Sequence, residues 1–131
     1  MSERVALLMI DHGSRREAAN ALIGQVADLV RARSAPGSIV EVAHMELAEP
    51  SIRDGFAKCV ELGATTVVAH PFMLAPGRHV TEDVPRLLAE AAALHPGTKF
   101  VVSEPLGAHE AIAGVVLDRF HAAAGGPPST E

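Results

Sequence analysis

Short, continuous apolar runs alternate along this chain with longer stretches in which apolar positions recur every three or four residues. The runs cover residues 5–10 (VALLMI), 39–47 (IVEVAHMEL), 65–69 (TTVVA) and 99–103 (KFVVS). Runs of this length, bounded by turn residues, predict strands buried on both faces. The periodic stretches predict helices. Over residues 16–33 the inner face reads Ala19, Leu22, Ile23, Val26, Leu29 and Val30. The second helix starts at Glu49-Pro50-Ser51, with Pro50 near its first position, and turns Ile52, Phe56, Cys59 and Val60 inward. The third is capped by Thr81, keeps Pro85 in its first turn and buries Val84, Leu87, Leu88, Ala91 and Leu94. The fourth follows Leu106-Gly107 and turns Ile112, Val115, Val116 and Phe120 inward. Residues 34–38 (SAPGS), Gly63 and Pro96-Gly97 are the breaks.

Strand then helix, four times over, predicts an α/β fold. It is a three-layer α/β/α domain on a four-stranded parallel sheet, with right-handed crossovers and helices on both faces. Residues 1–124 form one domain and residues 125–131 (GGPPSTE) a disordered tail. Ligands of such sheets bind at the loops that leave the carboxyl ends of the strands.

Composition narrows the functional classes. The chain has 131 residues, enough to bury about 68% of its unfolded surface without staples. Its net charge of −5 argues against a broad nucleic-acid or membrane-binding surface. With four Phe, no Trp and no Tyr, an aromatic stacking platform is not expected. Hydrophobic residues make up 48% but form no run long enough to span a bilayer. The apolar N-terminal run reads as a strand and not as a signal peptide. Cys59 is the only cysteine, which fits a reducing, cytoplasmic setting, and it reads as a small buried hydrophobe.

The chemistry-bearing residues gather at the predicted carboxyl rim. His12 follows the first strand and Glu46 ends the second, with His44 two residues earlier on the same side. His79 lies beyond the third strand, in a loop that also holds His70, Pro76, Gly77 and Arg78. Two imidazoles and a carboxylate suit a divalent iron, cobalt, nickel or zinc ion. Taken singly, His12 also reads as an exposed loop residue, Glu46 as a solvated strand end and His44 as a hydrogen-bonded core-edge histidine. Arg15, Arg16, Arg53 and Arg78 occupy the same rim, suited to bidentate carboxylate binding or simply to solvent. Neither GxGxxG nor GxxxxGK followed by Ser or Thr occurs, and GxSxG is missing, so phosphate-loop and serine-hydrolase chemistry is not expected. A phosphatase-like reading of His12-Gly13 lacks the arginine immediately before the histidine, where Asp11 stands.

The blocks IDHGSRREAAN, VAHMELAEPSIRDGF, VVAHPFMLAPGRHVTEDVPRL and SEPLGAHEAI occur in that order. Together they resemble the short sirohydrochlorin chelatases, the CbiX/SirB type of class II chelatase, over most of residues 5–120. The resemblance implies insertion of Fe²⁺ or Co²⁺ into sirohydrochlorin by a homodimer, with iron for siroheme favoured and cobalt or nickel insertion as the alternative. It places the metal-site histidines at His12 and His79 and the active-site glutamate at Glu46. Ser14, Arg15 and Arg78 would then anchor the carboxylates of the macrocycle, aided by N–H groups at the helix starts after Ser14 and Thr81. The metal is a substrate, and no organic cofactor is implied. Plant-type relatives carry extra cysteines for an iron–sulfur cluster, which this chain lacks, so no cluster is expected. Phe72, Met73 and Leu74 line a shared dimer face or close the top of the core. A non-catalytic metal or tetrapyrrole carrier is the reading from a different class.

Overall fold

The fold is described from a computed structural model that covers residues 3–125. Eight elements follow the expected alternation: β1 (Val5–Asp11), α1 (Glu17–Ala32), β2 (Ile39–His44), α2 (Ile52–Glu61), β3 (Thr66–Pro71), α3 (Arg78–Ala93), β4 (Lys99–Val102) and α4 (Glu110–Ala124). All pairings are parallel, in the spatial order β2-β1-β3-β4. β1 is central. It pairs with β2 from Ala6 opposite Ile39 to Asp11 opposite His44, and with β3 from Val5 opposite Thr66 to Ile10 opposite Pro71. All four carboxyl ends therefore share one edge. Gly125 caps α4 in the left-handed region, at φ 80. The remainder of the proposed tail lies outside the described residues.

The two faces of the sheet are covered unequally. On one face Ala6, Leu8 and Ile10 of β1 and Val67 and Ala69 of β3 pack against Phe56 and Cys59 of α2 and Val84 and Leu88 of α3. Phe56, Leu8 and Leu88 are fully buried there. Cys59 is enclosed, and desolvation, reinforced by the Glu41 charge, pushes its thiol up to about 12, so it stays a protonated hydrophobe. On the other face α1 lies over β1 and β2 alone, where Ile23 and Ala27 meet Met9 and Val40.

Several expected boundaries and faces move. Leu22 and Leu29 of α1 are 57% and 66% exposed, because α1 touches the sheet along a narrower stripe than its periodicity suggested. β2 stops at His44, so Glu46 is not a strand residue and strand alternation does not put it beside His44. Pro50 precedes the cap of α2 instead of entering the helix. Ser51 is the N-cap, its side chain accepting from the Asp54 N–H. α3 starts a turn early, at Arg78 after Gly77, and Thr81 donates its hydroxyl to the Gly77 carbonyl instead of capping. Pro85 consequently sits inside α3 and not in its first turn. The inward face expected for α4 is absent: the helix has no buried residue, and Val115, Val116 and Phe120 are 50%, 60% and 61% exposed.

Phe56 bridges α2, α3 and the sheet, so truncating it leaves a void that no neighbour can fill. Phe56→Ala should cost about 3–5 kcal/mol, read as a fall in the urea midpoint at unchanged slope.

Candidate active site

Three chain segments meet at the carboxyl edge of β1. Beyond the strands, the ladder between β1 and β2 continues through the Met45 N–H to the Asp11 carbonyl at 2.8 Å and the Glu46 N–H to the His12 carbonyl at 3.1 Å. Opposite, the Phe72 N–H donates to the Ile10 carbonyl at 2.7 Å. Residues 12 and 46 are thus joined through their backbones while both side chains remain exposed. Gly13 makes this close approach possible. It has φ +90, and a Cβ there would lie 1.8 Å from the Glu46 carbonyl oxygen and 3.2 Å from His44 Cβ.

Beneath these bonds lies a pair that sequence reasoning did not identify. His44 is 3% exposed, and its Nδ1 bonds the Asp11 carboxylate at 2.6 Å. Its backbone N–H donates to the Pro50 carbonyl at 2.8 Å. Of the readings open for His44, the hydrogen-bonded core-edge histidine is the one realised. Asp11 accepts the Nδ1 proton, so the pair joins the end of β1 to the end of β2 directly below His12 and Glu46. Asp11 stands beside His12 in the DHGSR block, but only the parallel register of β1 and β2 reveals its partner.

His79 belongs to the first turn of α3, not to a loop. Its side chain is 67% exposed, with Nδ1 2.7 Å from Asp83 Oδ2 one turn on. Asp83 is itself steadied by Arg86 at 3.4 Å. A carboxylate at that distance favours the proton on Nδ1 and leaves the Nε2 lone pair for a cation or a proton. The His79–Asp83 spacing of four was available in the sequence once the helix start was placed correctly. The start at Gly77 also moves the free N–H groups of the first turn beside Arg78 and His79.

The anion-anchoring candidates differ in freedom. Ser14 is fixed: its N–H donates to Asn20 Oδ1 at 2.9 Å, its carbonyl accepts from Asn20 Nδ2 at 2.7 Å, and its hydroxyl accepts from the Arg16 N–H at 3.0 Å. The N-cap of α1 is Arg16, not Ser14. Arg15 is exposed, and the Arg78 side chain is 91% exposed with Glu82 at 3.3 Å. A cleft of about 500 Å³ runs past Ser14, Arg15, Asn20, His44 and Leu47. Phe72 and Met73 pack against the core, whereas Leu74 is 59% exposed, so the two readings of that trio divide between them.

His12, Glu46 and His79 all reach the carboxyl edge, but they do not form a closed cage. Among the described residues no three His, Cys, Asp or Glu side chains converge on a metal-sized point. His70, expected in the loop, instead belongs to β3. Its Nδ1 lies 2.9 Å from the Ser103 hydroxyl, which donates to the Glu104 carbonyl at 3.0 Å, so Nδ1 carries the proton. Burial lowers the His70 pKa, partly offset by the Glu104 backbone.

The chain matches the CbiX family over residues 6–123. It belongs to that family. Among named relatives it is 44% identical over 113 residues to the chloroplastic sirohydrochlorin ferrochelatase of Arabidopsis thaliana, covering 86% of this chain and 50% of that protein. It is 31% identical over 139 residues to the sirohydrochlorin cobaltochelatase of Methanococcus maripaludis, covering 87% of this chain and 96% of that one. The chain thus spans half the length of the plant relative and nearly all of the archaeal one. Of solved structures, SirB from Bacillus subtilis with Fe³⁺ superposes with a TM-score of 0.80 at 28% identity, over 92% of this chain and 47% of that one. The four-stranded parallel α/β unit is therefore the fold of CbiX and SirB proteins.

His70 generates a pH signature within this site. A histidine whose folded pKa lies below its unfolded value contributes stability that is complete above ~6.5 and is lost as pH falls from there through the folded value. In an NMR titration the His70 ring signals should titrate below ~6.5. The decline in unfolding free energy between neutral and mildly acidic pH should be shallower in His70→Gln than in wild type.

Proposed function

We propose that this protein is a sirohydrochlorin chelatase that inserts a divalent metal, Fe²⁺ in the first reading, to form siroheme. The observation that carries the proposal is His79: an exposed imidazole at the carboxyl edge, backed by Asp83 and flanked by Arg78, in a chain of the CbiX family. Family members named for iron and for cobalt both resemble it, and the 44% identity to the plant ferrochelatase favours iron over cobalt or nickel.

Metal insertion exchanges the macrocycle's inner pyrrole N–H protons for the cation. The groups required are a lone pair to deliver a partly desolvated metal, an acceptor for the protons and a negative charge to balance the cation. His12 and His79 supply the lone pairs, and Glu46 supplies the charge and the proton route. Arg15 and Arg78 are free to pair with the macrocycle's peripheral carboxylates. Ser14, already committed to Asn20 and the Arg16 N–H, acts by shaping the loop. The open disposition of the three catalytic residues suits a site whose metal must leave with the product. No organic cofactor or iron–sulfur cluster enters this scheme. The functional unit in this reading is a homodimer whose facing loop edges hold His12 and His79 of both copies, in the cytoplasm.

The decisive test mixes pure protein with sirohydrochlorin and Fe²⁺, Co²⁺ or Ni²⁺ and follows the absorbance change against the uncatalysed rate. Fe²⁺ should be inserted fastest. Binding of metal and macrocycle without acceleration would identify a carrier and sink the enzyme reading. His12→Ala and His79→Ala should each lower turnover at least ~10²-fold. Asp83→Ala, acting through His79, should cost about 10–100-fold. Arg78→Ala should raise KM more than it lowers kcat, because carboxylate anchoring is largely uniform binding, and Arg78→Lys should recover only part of the loss. An unchanged KM in both Arg78 variants would return that residue to the solvated surface.

A further inference from the structure

We propose that Asp11 and His44 are positioning residues for metal insertion: the bond between their side chains clamps the segment that carries Glu46 against the turn that carries His12. The inference rests on the chelatase reading above and adds to it two residues that act through others.

The pair departs from the strands that lead to it. On the sheet face under α1 the register sets Leu7 opposite Val40, Met9 opposite Val42 and Asp11 opposite His44. The first two pairs belong to the apolar cluster around Ile23 and Ala27. The last pair, at the carboxyl edge, is polar. It is also enclosed: the His44 side chain is 3% exposed and that of Asp11 22%. A buried polar pair is seldom better for stability than apolar residues of the same volume, and its best-attested use is to select one geometry. A third apolar pair would have continued the cluster. The His–Asp bond at 2.6 Å instead sets a fixed distance between two strand ends.

What needs fixing is the segment after β2. From Met45 to Pro50 the chain is neither helix nor strand, and it carries Glu46. Leu47 takes φ 70, a left-handed conformation that a bulky residue seldom adopts. Its side chain is 58% exposed, so Leu47 does not anchor itself. Strain of this kind persists where the surroundings over-determine it. His44 supplies that constraint. Its N–H donates to the Pro50 carbonyl at 2.8 Å, and it pairs with Ser51 as an isolated bridge, which draws the two ends of the segment together. Its ring is bonded to Asp11, the residue before His12. Its Cβ lies so near the next turn that a Cβ on Gly13 would be 3.2 Å away. One residue therefore meets the end of β1, the turn after it and both ends of the Glu46 segment. Without the ring bond, the segment is held to that turn by the Met45 and Glu46 N–H bonds alone. His12 and Glu46 are both exposed, so their backbones decide how imidazole and carboxylate face an incoming cation, and small misplacements of such groups are costly.

Native-state amide hydrogen exchange and insertion kinetics, both on the intact protein, test this together. The variants are Asp11→Ala and the double variant Asp11→Ala with His44→Leu, which removes both partners and so orphans neither. In each, the Met45 and Glu46 N–H groups should lose protection while those of β1, β3 and α2 keep it. Turnover should fall about 10–100-fold. KM for sirohydrochlorin should change by less than about twofold, because the carboxylate anchors lie elsewhere. Asp11→Asn, whose amide oxygen still accepts the Nδ1 proton, should recover most of both losses. Where Asp11→Ala alone does not fold, the double variant decides. Unchanged protection at residues 45 and 46 overturns the proposal. So does a loss spread over the whole sheet, which would make the pair part of the global fold. A local loss with wild-type turnover overturns it equally. A local loss in a protein whose wild type inserts no metal would retain the clamp and remove the chelatase reading. Wild-type insertion with undisturbed protection in the variants would do the reverse.

Discussion

The position of β1 is the constraint from which the rest follows. It has a hydrogen-bonded neighbour on each side, and its side chains Ala6, Leu8, Met9 and Ile10 are buried. Such a strand cannot shift register without turning one set of apolar side chains toward the wrong layer. Its partners are therefore held, and their carboxyl ends are brought to a common edge. The Asp11–His44 bond lies at the top of this arrangement and joins two strand ends that are 33 residues apart in the chain. Above it, Gly13 lets the turn after β1 rest directly on the backbone of Glu46. The site is an extension of the β1–β2 ladder, continued by bonds from residues 45 and 46 after regular strand has ended.

Exposure and rigidity are divided within this edge. His12, Glu46, Arg15 and Arg78 point to solvent, while the residues that hold their backbones, His44, Asn20 and Ser14, are partly or fully enclosed and bonded. His79 follows the same logic through its own helix, since Asp83 and Arg86 brace the imidazole from the next turn. A site organised in this way presents exposed side chains on a fixed backbone frame. Alone, one chain presents that site as an open edge, and the same chain leaves α4 and half of one sheet face bare.

Strand–helix alternation, parallel pairing and the inward role of Phe56, Cys59 and Leu88 were determined by the sequence itself. Each depends on local periodicity and on turn residues whose effect is felt within a few positions. The rim location of His12, Glu46 and His79 was equally legible, because every strand in a parallel sheet ends at the same edge. The tertiary structure decided what depends on distant neighbours. Whether Leu22 and Leu29 face a sheet depends on the width of sheet left for α1, and periodicity does not encode that width. Pro85 suggested a helix starting near Thr81, yet packing of Val80 and Val84 into the core carries α3 back to Arg78. His44 found Asp11 only through cross-strand register. α4 shows the limit most plainly: its apolar spacing predicted an inward face, yet the tertiary structure leaves Val115, Val116 and Phe120 exposed, because periodicity does not encode how much sheet is within reach of the helix.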